Sequence, residues 1–160
     1  MTAVADTSPL NYLVLIGLPE LLPALFDHVL IPEAVRQELM SVATPAPVRT
    51  WVANAPSWLA VRIVSAIPTD LQQLGPGELE AIALAETTGS RMILLDERKA
   101  RQVARHRGLL VSGTLGILDQ AAQQGLIDLT DALDRLTHTS FRVSPRLLQS
   151  LRARQSHDTP

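Results

Sequence analysis

Two aspartates and two glutamates stand at positions where carboxylates can do joint chemistry. Asp6 closes the short apolar run Thr2–Ala5, and Asp96 closes Met92–Leu95. In open parallel α/β sheets ligands collect beyond the carboxyl ends of the strands, which is where both acids stand. The glutamates are picked out by helical geometry, at about 100° per residue. In Glu33–Met40 the apolar Ala34, Val35 and Leu39 share one side; Glu38 projects between Ala34 and Val35, whereas Glu33 points away. In the helix from Gly77 the stripe is Ala81, Ile82, Leu84 and Ala85; Glu78 projects into it and Glu80 lies nearly opposite. An acid aimed at the interior is costly as a lone charge, and a shared cation would offset that cost.

Each acid also has a plainer reading. Asp6-Thr7-Ser8-Pro9 suits a helix start, with Ser8 as N-cap and Pro9 in the first turn. Glu78 sits in a first turn, where the helix dipole alone favours an acid. Asp96 can cap a helix beginning at Glu97, and Glu38 can snorkel to the rim.

The elements that must position these acids alternate along the chain. Strand character marks Thr2–Ala5, His28–Ile31, Trp58–Val64, Met92–Leu95 and Leu109–Val111. Helical patterns mark Pro9–Ile16, Pro19–Leu25, Glu33–Met40, Gly77–Thr87, Glu97–Arg107 and Leu115–Gln124, with a short helix inside Thr44–Pro56. Such alternation predicts an α/β fold with a parallel sheet covered by helices on both faces. Met92–Leu95 and Leu109–Val111 lack alternation, as strands buried on both faces should. Gly89 and Gly108 stand where left-handed helix caps are common. Past Phe141 a further helix, Pro145–Arg154, is expected, followed by a frayed polar end, Gln155–Pro160.

Composition narrows the classes. At 160 residues with 46 % hydrophobic content, a single globular domain is expected. Zero cysteines exclude disulfides, thiolate metal sites and a cysteine nucleophile, and fit a reducing cytoplasm. A net charge of −2 excludes a globally basic nucleic-acid binder, and 3 % aromatics argue against reading single strands mainly by stacking. The apolar stretch Pro9–Leu18 is cut by Pro19, Glu20, Pro23 and Asp27, too short for a membrane span. The histidines His28, His106, His138 and His157 show no metal-ligand spacing and read as structural or surface residues.

In five stretches the sequence resembles the PIN-domain proteins, in particular a VapC-like toxin subgroup. The first two are Val4-Ala5-Asp6-Thr7-Ser8-Pro9-Leu10 and Ile31-Pro32-Glu33-Ala34-Val35-Arg36-Gln37-Glu38-Leu39. Leu74-Gly75-Pro76-Gly77-Glu78-Leu79-Glu80-Ala81-Ile82 and Leu94-Leu95-Asp96-Glu97-Arg98-Lys99-Ala100-Arg101 follow, then Gly113-Thr114-Leu115-Gly116-Ile117-Leu118. The resemblance reaches to about Pro145. It implies a three-layer α/β/α domain over 1–145, with 146–160 as a C-terminal helix and flexible tail. It also implies a metal-dependent endoribonuclease, the toxin of a type II toxin–antitoxin pair, with catalytic acids falling on Asp6, Glu38, Glu78 and Asp96. Many members carry a further acid shortly after the Asp96 position; here the neighbourhood is Glu97-Arg98-Lys99.

Four hard carboxylates suit Mg²⁺ or Mn²⁺. Such a metal would hold a phosphate oxygen and lower the pKa of an attacking water. Asp6 and Asp96 are the first choices as direct ligands. Glu78 binds directly or through water, and Glu38 orients water or acts as base. Thr7, Ser8 and Thr114 could hold the carboxylates or a phosphate. The helix Glu97–Arg107 gathers Arg98, Arg101 and Arg105 within about a 60° sector, suited to RNA phosphates or simply to solvent. The apolar helices from Pro9 to Leu25 offer a surface for a homodimer or an antitoxin. The competing reading is a catalytically weak PIN-like module that binds protein. A phosphate-receiving signalling domain ranks third, since Asp6 stands alone and Leu109–Val111 runs into Ser112-Gly113 rather than a lysine.

Overall fold

The computed structural model describes residues 1–71 and 73–158. Five parallel strands form one sheet: β1 (Thr2–Ala5), β2 (His28–Pro32), β3 (Leu59–Arg62), β4 (Met92–Leu94) and β5 (Leu110–Ser112), in the spatial order β3-β2-β1-β4-β5. The central strand β1 pairs Val4 with Leu30 on one side and with Ile93 on the other. Around the sheet run α1 (Thr7–Leu15), α2 (Leu21–Leu25), α3 (Glu33–Leu39), α4 (Ala46–Ala53), α5 (Pro76–Thr88), α6 (Arg98–His106), α7 (Thr114–Gln123), α8 (Leu129–Thr137) and α9 (Pro145–Asp158).

Strand side chains alternate between two faces. Ala3, Ala5, Val29, Ile31 and Leu94 enter one core, with residues of α1, α2, α4, α7 and α8. Val4, Leu30 and Ile93 enter the other, with Ala81, Ile82, Leu84 and Ala85 of α5 and Ala100 and Ala104 of α6. The molecule is therefore a three-layer α/β/α sandwich with a central parallel sheet. No described helix is long and apolar enough to cross a membrane.

The structure departs from the expected elements in several places. Strand β5 is an edge, and Leu110 is 51 % exposed rather than covered on both faces. The helix α8 is absent from the expected elements, although Leu129, Ala132, Leu133 and Leu136 repeat at helical spacing and are buried. Asp128 caps it, accepting the Asp131 N–H. Ser8 does not cap α1; Asp6 holds the N-cap position and α1 begins at Thr7. Asp96 does not cap α6 either, because the Glu97 carboxylate accepts the Ala100 N–H. Gly89 and Gly108 do end their helices with positive φ, 69° and 80°.

The apolar residues between Pro9 and Leu25 are largely used inside the chain: Leu10, Leu13, Ile16, Leu21 and Leu22 are buried in the first core. Helix α9 continues past Arg154 to Asp158, its Leu151 buried against that core. The end expected to fray from Gln155 is helical to Asp158, while residues 159–160 and the side chain of His157 lie outside those described.

Candidate active site

Four of the chain's turns meet at the carboxyl edge of the sheet, and each brings an acid. Asp6 follows β1, its N–H held by the Leu94 carbonyl at 3.0 Å, and is only 6 % exposed. Glu38 comes from the last turn of α3, Glu78 from the first turn of α5, and Asp96 from the turn after β4. Asp6, Glu38 and Glu78 line a single cleft of ≈ 510 Å³ with Thr7, Ser8 and Asn11. Asp96 lines an adjoining cavity instead, tied back to the cleft through Ser8.

Each carboxylate has its own hydrogen bonds. Asp96 is the most fully held: Oδ1 accepts the Thr114 N–H, and Oδ2 accepts the Thr114 and Ser8 hydroxyls, all at 2.7 Å. Glu38 accepts the Thr7 hydroxyl and, at 3.2 Å, the Gly77 N–H. Gly77 leaves room for that carboxylate, since a Cβ would stand 2.7 Å from Glu38 Oε1. Glu78 Oε1 accepts the Gly75 N–H at 3.2 Å, capping its own helix. Thr7, Ser8 and Thr114 thus all donate to acids. The two glutamates that project away from the stripes have other partners: Glu33 pairs with Arg36 at 2.8 Å, and Glu80 faces the Ala34 N–H at 3.4 Å.

Buried acceptors are left over. Asp6 Oδ1, Glu78 Oε2 and Asn11 Oδ1 have no hydrogen-bond donor. Burial, reinforced by Glu78, Glu38 and Asp96, pushes the Asp6 carboxyl up to about 7. Burial, with Glu97 and Glu38 nearby, also raises Glu78. Glu97 lines the same cleft and is a fifth acid that the motif reading passed over. Its own carboxyl is lowered, chiefly by the Ala100 N–H. Its signal was its place directly after Asp96. Asn11, Tyr12, Thr44 and Ser140 also line the cleft without having been singled out.

Among the described residues, no group of three or more His, Asp or Glu side chains is arranged to hold a metal ion. The donor chemistry is nevertheless that of a hard cation. Asp6 and Glu78 each present a buried oxygen without a donor, whereas Glu38 and Asp96 are engaged by the chain itself. Two free carboxylate oxygens suit an ion such as Mg²⁺, which binds through one or two carboxylates and keeps several waters. The arginines of α6 separate: Arg101 is half-buried and lines the cavity beside Asp96, whereas Arg98 and Arg105 are exposed and line neither space.

Comparison with known proteins gives this architecture a family. A family model described as a PIN domain matches residues 2–157, and the chain belongs to that family. A solved structure, a PilT N-terminus domain protein from the hyperthermophilic archaeon Sulfolobus solfataricus P2, is similar at 13 % identity. That likeness covers 90 % of this chain and 100 % of that one, with a TM-score of 0.49. No curated protein matches significantly.

Proposed function

We propose that this PIN-domain chain is a catalytically weak module whose main task is to bind a protein partner. One observation carries the reading: the acids share a neighbourhood, but among the described residues no group of three or more is arranged to hold a metal. Asp96, a first choice as ligand from the sequence, already accepts three hydrogen bonds from Thr114 and Ser8. In-line phosphodiester hydrolysis depends on a firmly placed ion, and a converging set of acids is what places one.

A second reading is favoured by the unpartnered Asp6 Oδ1 and Glu78 Oε2. On it the protein is a VapC-like metal-dependent endoribonuclease of the cytoplasm, a toxin neutralised by a small antitoxin and able to form a homodimer. Asp6 and Glu78 would hold Mg²⁺ or Mn²⁺, and Asp96, whose Oδ1 accepts a single hydrogen bond, would keep a lone pair free for the same ion. The bound ion would supply charge stabilisation and an activated water. Glu38, fixed by Thr7 and Gly77, would orient that water.

Incubating purified protein with a mixed RNA pool and Mn²⁺ or Mg²⁺ separates the readings. The weak-module reading expects the wild type to cut no better than Asp6→Asn or an EDTA control. Cleavage abolished by both controls would overturn it and establish the nuclease.

A further inference from the structure

The sheet ends on β3, and the outer side of that strand is open. Its inner side is set by β2: the Val29 N–H donates to the Trp58 carbonyl at 3.0 Å, and Ala60 and Arg62 stand opposite Leu30 and Pro32. The N–H and C=O of a trans peptide point opposite ways, and successive peptides alternate along a strand. The N–H groups of Leu59, Val61 and Ile63, with the carbonyls of Leu59 and Val61, therefore face outward. Pro56 accepts the Leu59 N–H at 3.1 Å, and the exposed Arg62 guanidinium donates to the Val61 carbonyl at 3.1 Å. Among the described residues nothing pairs with the Val61 N–H, the Ile63 N–H or the Leu59 carbonyl.

Edge strands are normally blunted by charge, proline or a bulge, because unpaired backbone invites another strand. Residues 57–67 contain no proline and, apart from Arg62, no charge. The side chains beside the open backbone are apolar and uncovered: Val61 is 38 % exposed and Ile63 86 %. By alternation both lie on the face where Leu59 enters the first core.

This edge is complementary to itself. With two copies of β3 antiparallel about a twofold axis at Val61, each Val61 N–H meets the partner's Val61 carbonyl. Each Ile63 N–H meets the partner's Leu59 carbonyl. On one face Val61 packs on the partner's Val61 and Ile63 beside the partner's Leu59. On the other face Arg62 falls opposite the partner's Ala60, so like charges are not directly opposed. A twofold contact of this kind closes on itself and leaves no open edge to recruit a third chain. An unrelated strand would have to match the same donors, acceptors and apolar positions, whereas a second copy does so by symmetry.

We infer that the β3 edge is a self-association surface, at which a second copy of this chain adds its own β3, antiparallel and centred on Val61, so that one sheet runs through both copies. The contact between copies then lies away from α1 and α2, whose apolar residues are largely buried in the first core. It holds on either reading of the acidic cleft.

The test is sedimentation velocity of the full chain over a range of concentrations, without RNA or metal. The wild type is expected to move from 17.4 kDa toward twice that mass as concentration rises. Val61→Lys and Val61→Glu each set like charges face to face across the axis and should weaken association about tenfold or more. An equimolar mixture of the two should recover association to within about threefold of the wild type, which damage to folding in either variant would not produce. Ile63→Lys alters a side chain that is almost fully exposed, so it carries the test if the Val61 variants fail to fold; it too should weaken association about tenfold. Leu110→Lys, on the opposite edge strand β5, should leave association unchanged. A wild type still monomeric at about 100 μM overturns the surface and leaves the edge to a strand of another protein. Association that survives Ile63→Lys, or that is lost in Leu110→Lys, also overturns it. Folded Lys and Glu variants that fail to associate when mixed would overturn the register centred on Val61. None of these outcomes bears on the cleavage assay, so the two proposals fail separately.

Discussion

The Ser8 hydroxyl donates to Asp96 Oδ2 at 2.7 Å, joining the turn after β1 to the turn after β4 across 88 positions of the chain. The Thr114 hydroxyl reaches the same oxygen at the same distance from the start of α7. Three turns of the sheet edge are therefore pinned on one carboxylate, which is fixed before any ligand arrives.

Removing those donors should show how they share the load. Ser8→Ala is expected to cost about 1 kcal/mol, and Thr114→Val about 2 kcal/mol, because Thr114 is fully buried and its partner is charged. The double variant should cost more than the sum, since each hydroxyl partly substitutes for the other when only one is lost. Urea unfolding of the three variants measures this; strict additivity would mean the two bonds do not communicate.

Asp6 should make stability depend on pH in an unusual direction. Its folded value of about 7 lies above the ordinary 3.8, so between those values the folded chain holds the proton that the unfolded chain releases. Stability from this group is present below about pH 4 and is lost as pH rises through 7, by roughly 4 kcal/mol at most. Glu78, also raised, adds in the same direction. In metal-free buffer Asp6→Asn should narrow the stability difference between pH 5 and pH 8. Parallel Tm–pH curves for wild type and variant would count against the shift.

Two glycines give opposite expectations. At Gly113 an added Cβ meets the Leu95 carbonyl at 3.1 Å and Asp96 Oδ1 at 2.7 Å, so backbone must move. Gly113→Ala should cost about 1–3 kcal/mol. At Gly77 the obstacle is the end of the Glu38 side chain. Gly77→Ala should leave Tm within a few degrees yet displace Glu38, breaking its bond to the Gly77 N–H. Thermal melts separate the two, and a crystal structure of Gly77→Ala would show whether Glu38 has swung away.

Arg107 holds Glu86 of α5 and, at 2.7 Å, Asp70 of the 3-10 turn Thr69–Leu71. Arg107→Ala should lower stability by about 0.5–1 kcal/mol, less in high salt because the pairs are partly exposed. Proteolysis within 63–71 should quicken at the same time. An unchanged cleavage rate would mean the pairs do not anchor that stretch.

Much of this arrangement was legible in the sequence because periodicity is an interior signal. The choice of Glu38 over Glu33, and of Glu78 over Glu80, needed only helical projection, and the structure lines the cleft with the chosen pair. Spacing along one helix cannot show what waits across the cleft. Thr114 was expected to hold a carboxylate or a phosphate, but spacing alone did not say that the acid would be Asp96, 18 positions earlier. The stripe Arg98, Arg101 and Arg105 looked like one surface, yet the packing of α6 against β5 turns Arg101 alone toward a cavity. Helix α8 was hidden for a different reason. It lies between Asp128 and a run of small polar residues, where a cap and a loop look alike until the apolar positions are counted.

Strand order carries a last consequence, for how the protein is made. The chain builds outward from β1 to β3, crosses the stretch 63–75, and returns to lay β4 against the other side of β1. Asp6 and Glu38 precede that crossing; Glu78 and Asp96 follow it. Neither half holds a complete acidic cleft, and closing β1 onto β4 is a long-range event of the kind that slows folding. A nascent chain halted before β4 emerges thus lacks Asp96 and Glu97. A single nick in the crossing would leave two fragments able to regain the cleft only by finding each other.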